Sequence, residues 1–291
     1  MHRSSRNGKK RVDLQKETGT ELTDIRPYPA ALTIAGSDSG GGAGIQADLR
    51  TFSAFGVYGC SAITALTAQN PFGVAGIFPV DPEFVALQIR QVISCFEIKA
   101  IKTGMLYSAE IIRAVADSLS DWKGPLVIDP VMISTSGHSL LLEDARTVLM
   151  ETLLPKAAWI TPNIPEAEYL SGIKIRCTED ALAAAEYCAE RFSSGIVLKG
   201  GHADGAEAQD IVLSAPGAEI CFLSEKRLDL PEHATHGTGC TFSAALAASL
   251  ASGDPADCAV RKAKRFVYES LESIVNPGYN VSAMFPKGLK K

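Results

Sequence analysis

Short apolar runs alternate with amphipathic helical stretches along most of this chain, and that alternation limits the possible fold more than any other feature. Residues 31–35 are apolar and end at Gly36, the pattern of a buried strand. Residues 43–55 follow with Ile45, Leu49 and Phe52 on one helical face. The rhythm then repeats. Strands are predicted at 60–66, 100–101, 125–128, 157–160 and 195–198, and helices at 83–95, 109–119, 144–153 and 178–192. Residues 211–214 and 220–223 read as a small antiparallel pair, and helices over 238–250 and 255–274 close the chain. Such repeats predict an α/β protein with a mostly parallel sheet and helices on both faces. No linker rich in Pro, Gly or Ser divides the pattern, and no repeat of fixed period underlies it. One domain is expected over 29–276, with 1–28 a disordered extension and 277–291 a tail.

In open parallel sheets, ligands sit beyond the carboxyl ends of the strands. The residues there are polar or glycine-rich: Gly36-Ser37-Asp38, Gln69-Asn70, Thr103-Gly104-Met105, Asp129-Pro130-Val131, Thr161-Pro162-Asn163 and Lys199-Gly200-Gly201-His202. The strands before them are apolar. That contrast predicts an active-site rim.

Two glycine-rich segments suit a phosphate. Gly40-Gly41-Gly42-Ala43-Gly44 lies between the first strand and first helix, where free amides and a positive dipole end attract anions. A dinucleotide fold would need an acidic residue about 20 positions later. No Asp or Glu occurs between Asp48 and Asp81, and no Walker P-loop occurs anywhere. The second segment, His236-Gly237-Thr238-Gly239-Cys240-Thr241, opens a helix of small apolar residues. Consecutive amides there form an anion hole for a transferring phosphoryl group, and a tight turn with a capped helix is the plainer alternative. A helix amino end also predicts a lowered thiol pKa at Cys240. A cysteine hydrolase lacks a third orienting group beside His236, and a zinc site at His233, His236 and Cys240 lacks an evident fourth ligand.

Bulk properties exclude other classes. The net charge of −5 offers no field for a nucleic-acid backbone. No apolar run nears the ~20 residues of a membrane span. Seven scattered cysteines without a C-x-x-C pair point to a reducing compartment. The first 26 residues are polar, carry Asp13, Glu17, Glu21 and Asp24, and have no apolar signal core. A cytoplasmic protein with neither nucleic-acid nor membrane partner is expected.

Several motifs, in order over residues 31–263, carry a family likeness. They are ALTIAGSDSGGGAGIQADLRTF (31–52), GCSAITALTAQN (59–70), KTGML (102–106), DPVMISTSG (129–137), TPNIPEA (161–167), LKGGH (198–202) and THGTGCT (235–241). Together they strongly resemble the hydroxymethylpyrimidine/phosphomethylpyrimidine kinases of thiamin synthesis. The resemblance implies a ribokinase-like, three-layer α/β/α fold and two successive phosphorylations by ATP with Mg²⁺, and its members tend to form homodimers. Carried onto matching positions, it places Gln69 on the aminopyrimidine edge. Asp48 and the Gly36 backbone line the same pocket, with Met105 over the ring. Lys199 and Thr238 meet the ATP phosphates, and Asn163 and Glu166 help hold Mg²⁺. Gly237, Thr238 and Gly239 form the anion hole, and Cys240 stands where related sugar kinases have the general-base Asp.

Plainer roles stand beside these. Glu166 suits a helix cap after Pro165, Asp48 a helix dipole, Gln69 a turn before Asn70-Pro71, Met105 ordinary core and Lys199 a solvated loop. The family's Ser-Asp-Pro-Ser-Gly-Gly is Ser37-Asp38-Ser39-Gly40-Gly41-Gly42 here, a looser loop, and Gly137-His138-Ser139 departs from the usual Gly-Asp-Pro. Two other functions compete. A pyridoxal or pyridoxine kinase uses a similar substrate on the same scaffold, and a pyrimidine-binding protein without chemistry needs only the pocket.

Overall fold

The computed structural model describes residues 27–133, 140–200 and 206–286. Residues 1–26, most of the expected N-terminal extension, lie outside them, as do Gly137-His138-Ser139 and Gly201-His202. The core is a nine-stranded sheet among the described residues, in the order β3-β2-β1-β4-β5-β6-β7-β8-β9. Its strands are β1 Ala30–Asp38, β2 Tyr58–Asn70, β3 Gly73–Pro79, β4 Ile98–Thr103, β5 Leu126–Ile128, β6 Trp159–Ile160, β7 Gly195–Leu198, β8 Glu207–Leu213 and β9 Cys221–Lys226. The six strands from β2 to β7 in this order pair parallel. Strands β3, β8 and β9 join antiparallel at the two edges.

Eight helices fill the outer layers: α1 Gly44–Ala54, α2 Pro82–Cys95, α3 Ala109–Ser118, α4 Glu143–Val148, α5 Ile164–Ser171, α6 Thr178–Phe192, α7 Thr238–Ala251 and α8 Ala256–Leu271. Strand residues alternate between two cores. Leu32, Ile101, Ile128, Ile160 and Ile196 face the core under α2, α3 and α6, whereas Ala31, Ala100, Val127, Trp159 and Val197 face the core under α1, α7 and α8. This is period-two burial on both faces, and it makes three layers. Helix α7 is apolar nearly all round, with Ala244 to Ala248 fully buried, as befits a helix wedged between the sheet and its neighbours α1 and α8.

The structure extends the sequence reading at several places. Strand β3 was not expected, because its alternation is broken by Gly73 and Gly76 and most of it is exposed. The antiparallel pair at 211–214 and 220–223 is longer and joins the main sheet. The predicted helix over 144–153 changes to a π-helical turn at Leu149–Leu153. The tail expected from residue 277 contributes to a hairpin of β10 Val275–Gly278 and β11 Val281–Ala283, tied down where Ser282 N donates to His233 Nε2 at 3.1 Å.

The chain leaves β1 toward β2 and β3, then returns to β4 on the other side of β1. That reversal opens a crevice beyond the carboxyl ends of β1 and β4. Helix α1 sits close to it because Gly59 in β2 has no side chain. A Cβ at Gly59 would lie 2.7 Å from Leu49 Cδ2 and 3.1 Å from Phe52 Cδ2. Gly59→Ala should therefore overpack the α1–sheet contact and cost about 1–3 kcal/mol. Urea unfolding should show a lower midpoint with an unchanged slope, and a wild-type midpoint would mean that α1 has room to shift.

Candidate active site

An ion pair with no solvent exposure lies beneath the crevice. Lys102, at the end of β4, places Nζ 2.9 and 2.8 Å from the two carboxylate oxygens of Asp48 in α1. Thr33 of β1 donates to Asp48 Oδ2 at 2.6 Å. Burial alone works against the lysine's charge, but the Asp48 carboxylate, with Cys240 and Asp129 nearby, holds its pKa above the usual value. Asp48, expected to line the substrate pocket, is not among the residues that line the cavity. Its carboxylate is fully buried on Lys102 and Thr33, whereas Lys102 is one of the residues that line the cavity.

The two glycine segments meet. Gly237 has φ of +85°, and a Cβ there would lie 1.9 Å from Gly42 O, so only glycine lets the segments touch. Their roles differ. The Asp38 carboxylate accepts from Gly40 N and Ala43 N, both at 2.8 Å, which supplies the first loop with an internal anion. At the second, Gly237 caps α7 without any side-chain cap, so the first-turn amides of Thr238, Gly239 and Cys240 face the cavity. Cys240 accepts a hydrogen bond from the Gly44 amide, at the start of α1. Burial nevertheless pushes its thiol up to about 11, opposed by Lys102. The lowered thiol pKa expected from the helix end alone is corrected: desolvation outweighs the dipole.

A third cluster stands at the ends of β5, β6 and β7. Lys199 Nζ lies 3.0 Å from Asp129 Oδ1, and a Cβ at Gly239 would come within 3.3 Å of the same ammonium. Asn163 and Glu166 form a capping box on α5: Asn163 Oδ1 accepts from Glu166 N at 2.9 Å, and Glu166 Oε2 accepts from Asn163 N at 2.8 Å. The capping role is thus realised at both residues. Glu166 is also nine-tenths buried, and burial raises its carboxyl to about 7 against the pull of Lys199.

Gly36, Gln69, Met105, Asn163, Glu166, Lys199 and the Gly237–Cys240 turn all line one cavity of about 800 Å³. Met105 packs so closely that a Cβ at Gly36 would meet its sulfur at 3.0 Å. Sequence reasoning put Asp38 and Asp129 on the rim without a role and weighed His236 only beside Cys240, and it missed Lys102 as a member of this wall. A charge ending an apolar strand, the signal that placed Asp129 on the rim, was also available for Lys102. Nothing local marks His236, which reaches Asp38 across 198 residues.

A parallel sheet with an uncapped helix start and paired cationic and acidic groups at its crevice suits a phosphotransferase. The phosphomethylpyrimidine kinase family matches residues 38–284. The hydroxymethylpyrimidine/phosphomethylpyrimidine kinase of Haemophilus influenzae is 48% identical over 251 residues, covering 85% of this chain and 92% of that protein. Among solved structures, the pyridoxal kinase of Bacillus subtilis in complex with ADP superposes with TM-score 0.81 at 34% identity, covering 90% of this chain and 99% of that one. The phosphomethylpyrimidine kinase of Clostridium difficile gives 0.72 at 42% identity, covering 83% and 99%. The fold is ribokinase-like and the protein is a phosphotransferase. The chain belongs to the phosphomethylpyrimidine kinase family.

Glu166 makes the site's state measurable. Its folded pKa of about 7 lies above the ordinary 4.5, so between these values the folded protein keeps a proton that the unfolded chain has released. The associated stability is full below pH 4.5 and is lost as pH rises to about 7. Glu166→Gln keeps a cap acceptor and removes the titration. The unfolding free energy of wild type relative to Glu166→Gln should fall by about 3 kcal/mol across that window. A flat difference would mean that Glu166 is ionised throughout.

Proposed function

We propose that the protein transfers the γ-phosphate of ATP to the hydroxymethyl group of 4-amino-5-hydroxymethyl-2-methylpyrimidine, and then phosphorylates the monophosphate to the diphosphate, in thiamin synthesis. The observation that carries this reading is that an amide able to read a heteroaromatic edge, Gln69, and the uncapped amino end of α7 line the same cavity. Gln69 both donates and accepts, as a neutral aminopyrimidine requires. Met105 packs over the ring, and the Gly36 backbone closes beneath it. The amides of Thr238, Gly239 and Cys240 receive the charge that develops on the transferred phosphoryl group, with Lys199 alongside.

The residues present fit Mg²⁺, which takes oxygen ligands that it shares with phosphates. Asp129 and Glu166 are the carboxylates that line the cavity near Lys199, while Asn163 has its side-chain oxygen committed to the α5 cap. Magnesium-bound ATP supplies the transferable group with part of its charge neutralised. In a loose transition state the alcohol keeps its proton until late, so Cys240 contributes less than the anion hole. Burial keeps the Cys240 thiol protonated at physiological pH, so only its minor thiolate form, favoured by Lys102, can take that proton from the alcohol.

The same reading makes the protein a cytoplasmic homodimer. All seven cysteines are free thiols, and Leu66, Phe72 and Phe78 expose apolar surface along the β2–β3 edge that a second copy would cover. A vitamin B6 kinase remains the second reading, favoured by the closer superposition on pyridoxal kinases.

A coupled assay of ADP release separates these readings. Hydroxymethylpyrimidine and its monophosphate should turn over well above pyridoxal, pyridoxine and ribose. Preference for pyridoxal would move the protein to vitamin B6 salvage, and binding without ADP release would support a non-catalytic protein. In the same assay Cys240→Ala should lower kcat about 10²-fold with the KM for ATP unchanged. Wild-type turnover would leave phosphoryl transfer to the anion hole alone.

A further inference from the structure

The wall that holds Gln69 contains three polar side chains that substrate binding by one glutamine does not require. His236 Nε2 lies 2.9 Å from Asp38 Oδ2 and 3.3 Å from the near end of the Gln69 amide. The far end of that amide lies 3.1 Å from Thr67 Oγ1, and the Thr67 hydroxyl sits 2.8 Å from the Ser37 carbonyl. His236 is 10% exposed and Asp38 2%, so this ion pair is largely shielded from bulk water. Its ring can lie so deep because Gly42 is beneath it, where a Cβ would stand 2.6 Å from His236 Cδ2.

Hydrogen positions follow from what each atom can do. A carboxylate only accepts, and every contact to Asp38 comes from a donor, the Gly40 and Ala43 amides among them. His236 Nε2 must therefore carry a hydrogen. A nitrogen with a hydrogen has no lone pair for an amide NH₂, so the end of Gln69 that faces His236 is Oε1. At the other end, Thr67 has one hydroxyl hydrogen, which goes to the nearer Ser37 carbonyl. Its oxygen is then free to accept from Gln69 Nε2. In this orientation the single His236 N–H is shared between Asp38 and, at longer range, Gln69; the reverse orientation has no such solution, because it sets two donors against each other at His236.

We propose that His236, held by Asp38, and Thr67, held by the Ser37 carbonyl, act as positioning residues that clamp the Gln69 amide in one polarity, and that this polarity sets which order of donor and acceptor a substrate edge must present. The inference rests on the pyrimidine reading and deepens it. With Oε1 and Nε2 each committed once, Gln69 keeps one lone pair and one N–H side by side. Their complement is a ring nitrogen that accepts beside an exocyclic amino group that donates. A 4-oxo analogue presents the opposite order, a ring N–H beside a carbonyl, and meets like against like. An unpaired or opposed polar group at a buried contact corresponds to about 10–100-fold in affinity.

The test compares kcat/KM for the 4-amino substrate and its 4-oxo analogue in wild type, His236→Phe, His236→Gln and Thr67→Val. Wild type should prefer the amino compound by at least about 100-fold. His236→Phe and Thr67→Val should each erode that preference about 10-fold, through the KM of the amino compound, with the KM for ATP unchanged. His236→Gln, which returns an N–H to the place of Nε2, should restore it. An unchanged preference in both His236→Phe and Thr67→Val, or an equal loss on both substrates, would overturn the clamp. Wild-type turnover of the amino compound is the control that tells a failed clamp from a failed pyrimidine reading. Nitrogen-15 NMR of the unmodified enzyme reads the clamp independently of substrate. A hydrogen on His236 Nε2 supports it, and a ring protonated on Nδ1 alone contradicts it.

Discussion

The buried pair of Asp48 and Lys102 is the constraint around which the site is built. Taking both charges out of water is costly, and their mutual attraction offsets that cost only while the geometry holds. The pair fastens α1 to β4 across β1, with Thr33 supplying a further hydrogen bond to the carboxylate. It therefore sets where α1 begins, and with it the glycine loop that joins β1 to α1. The Gly44 amide at that start reaches Cys240 at the start of α7. Two helix amino ends thus converge on one point, with a buried ammonium behind them. Such a point suits developing negative charge and needs no rearrangement to receive it.

Glycine serves two physical ends in this arrangement. At Gly237 and Gly42 it permits contact between two backbone segments that any side chain would hold apart. In the Gly40–Gly44 loop it lets the chain wrap the Asp38 carboxylate, which takes up the loop's own amides. The loop that resembles an anion site in sequence thus already holds an anion of its own. The α7 turn has no side-chain cap, so no internal side-chain acceptor occupies its first-turn amides. Around the opposite wall, the polar side chains of Asp38, His236, Gln69 and Thr67 are paired with one another.

Much of the fold was legible because its signals are local. An apolar run ended by glycine or a polar residue marks a strand and its rim, and α6 and β7 fall at 178–192 and 195–198 as their periodicity predicts. Strand β3 and the β10–β11 hairpin were not legible, since exposed edge strands lack a buried face to impose alternation. Within the site, the residues that motifs named do line one cavity, except Asp48. Its carboxylate had to be known to face Lys102, 54 residues away, before its place beneath the wall was visible. The pairing of Lys199 with Asp129 spans 70 residues and left no trace in either segment. The Cys240 thiol misled for a related reason: a helix end is visible in sequence, whereas the depth at which it is buried is not.

In the proposed reaction the substrate's hydroxyl and the transferred phosphate meet at the amino end of α7. A crystal structure of the ternary complex with hydroxymethylpyrimidine, Mg²⁺ and a non-hydrolysable ATP analogue tests it most directly. The ring edge should lie on Gln69, the γ-phosphate on the amides of Thr238 to Cys240, and the hydroxyl should point at that phosphorus beside the Cys240 sulfur. A hydroxyl turned toward Met105, or a γ-phosphate seated on the Gly40–Gly44 loop, would contradict it.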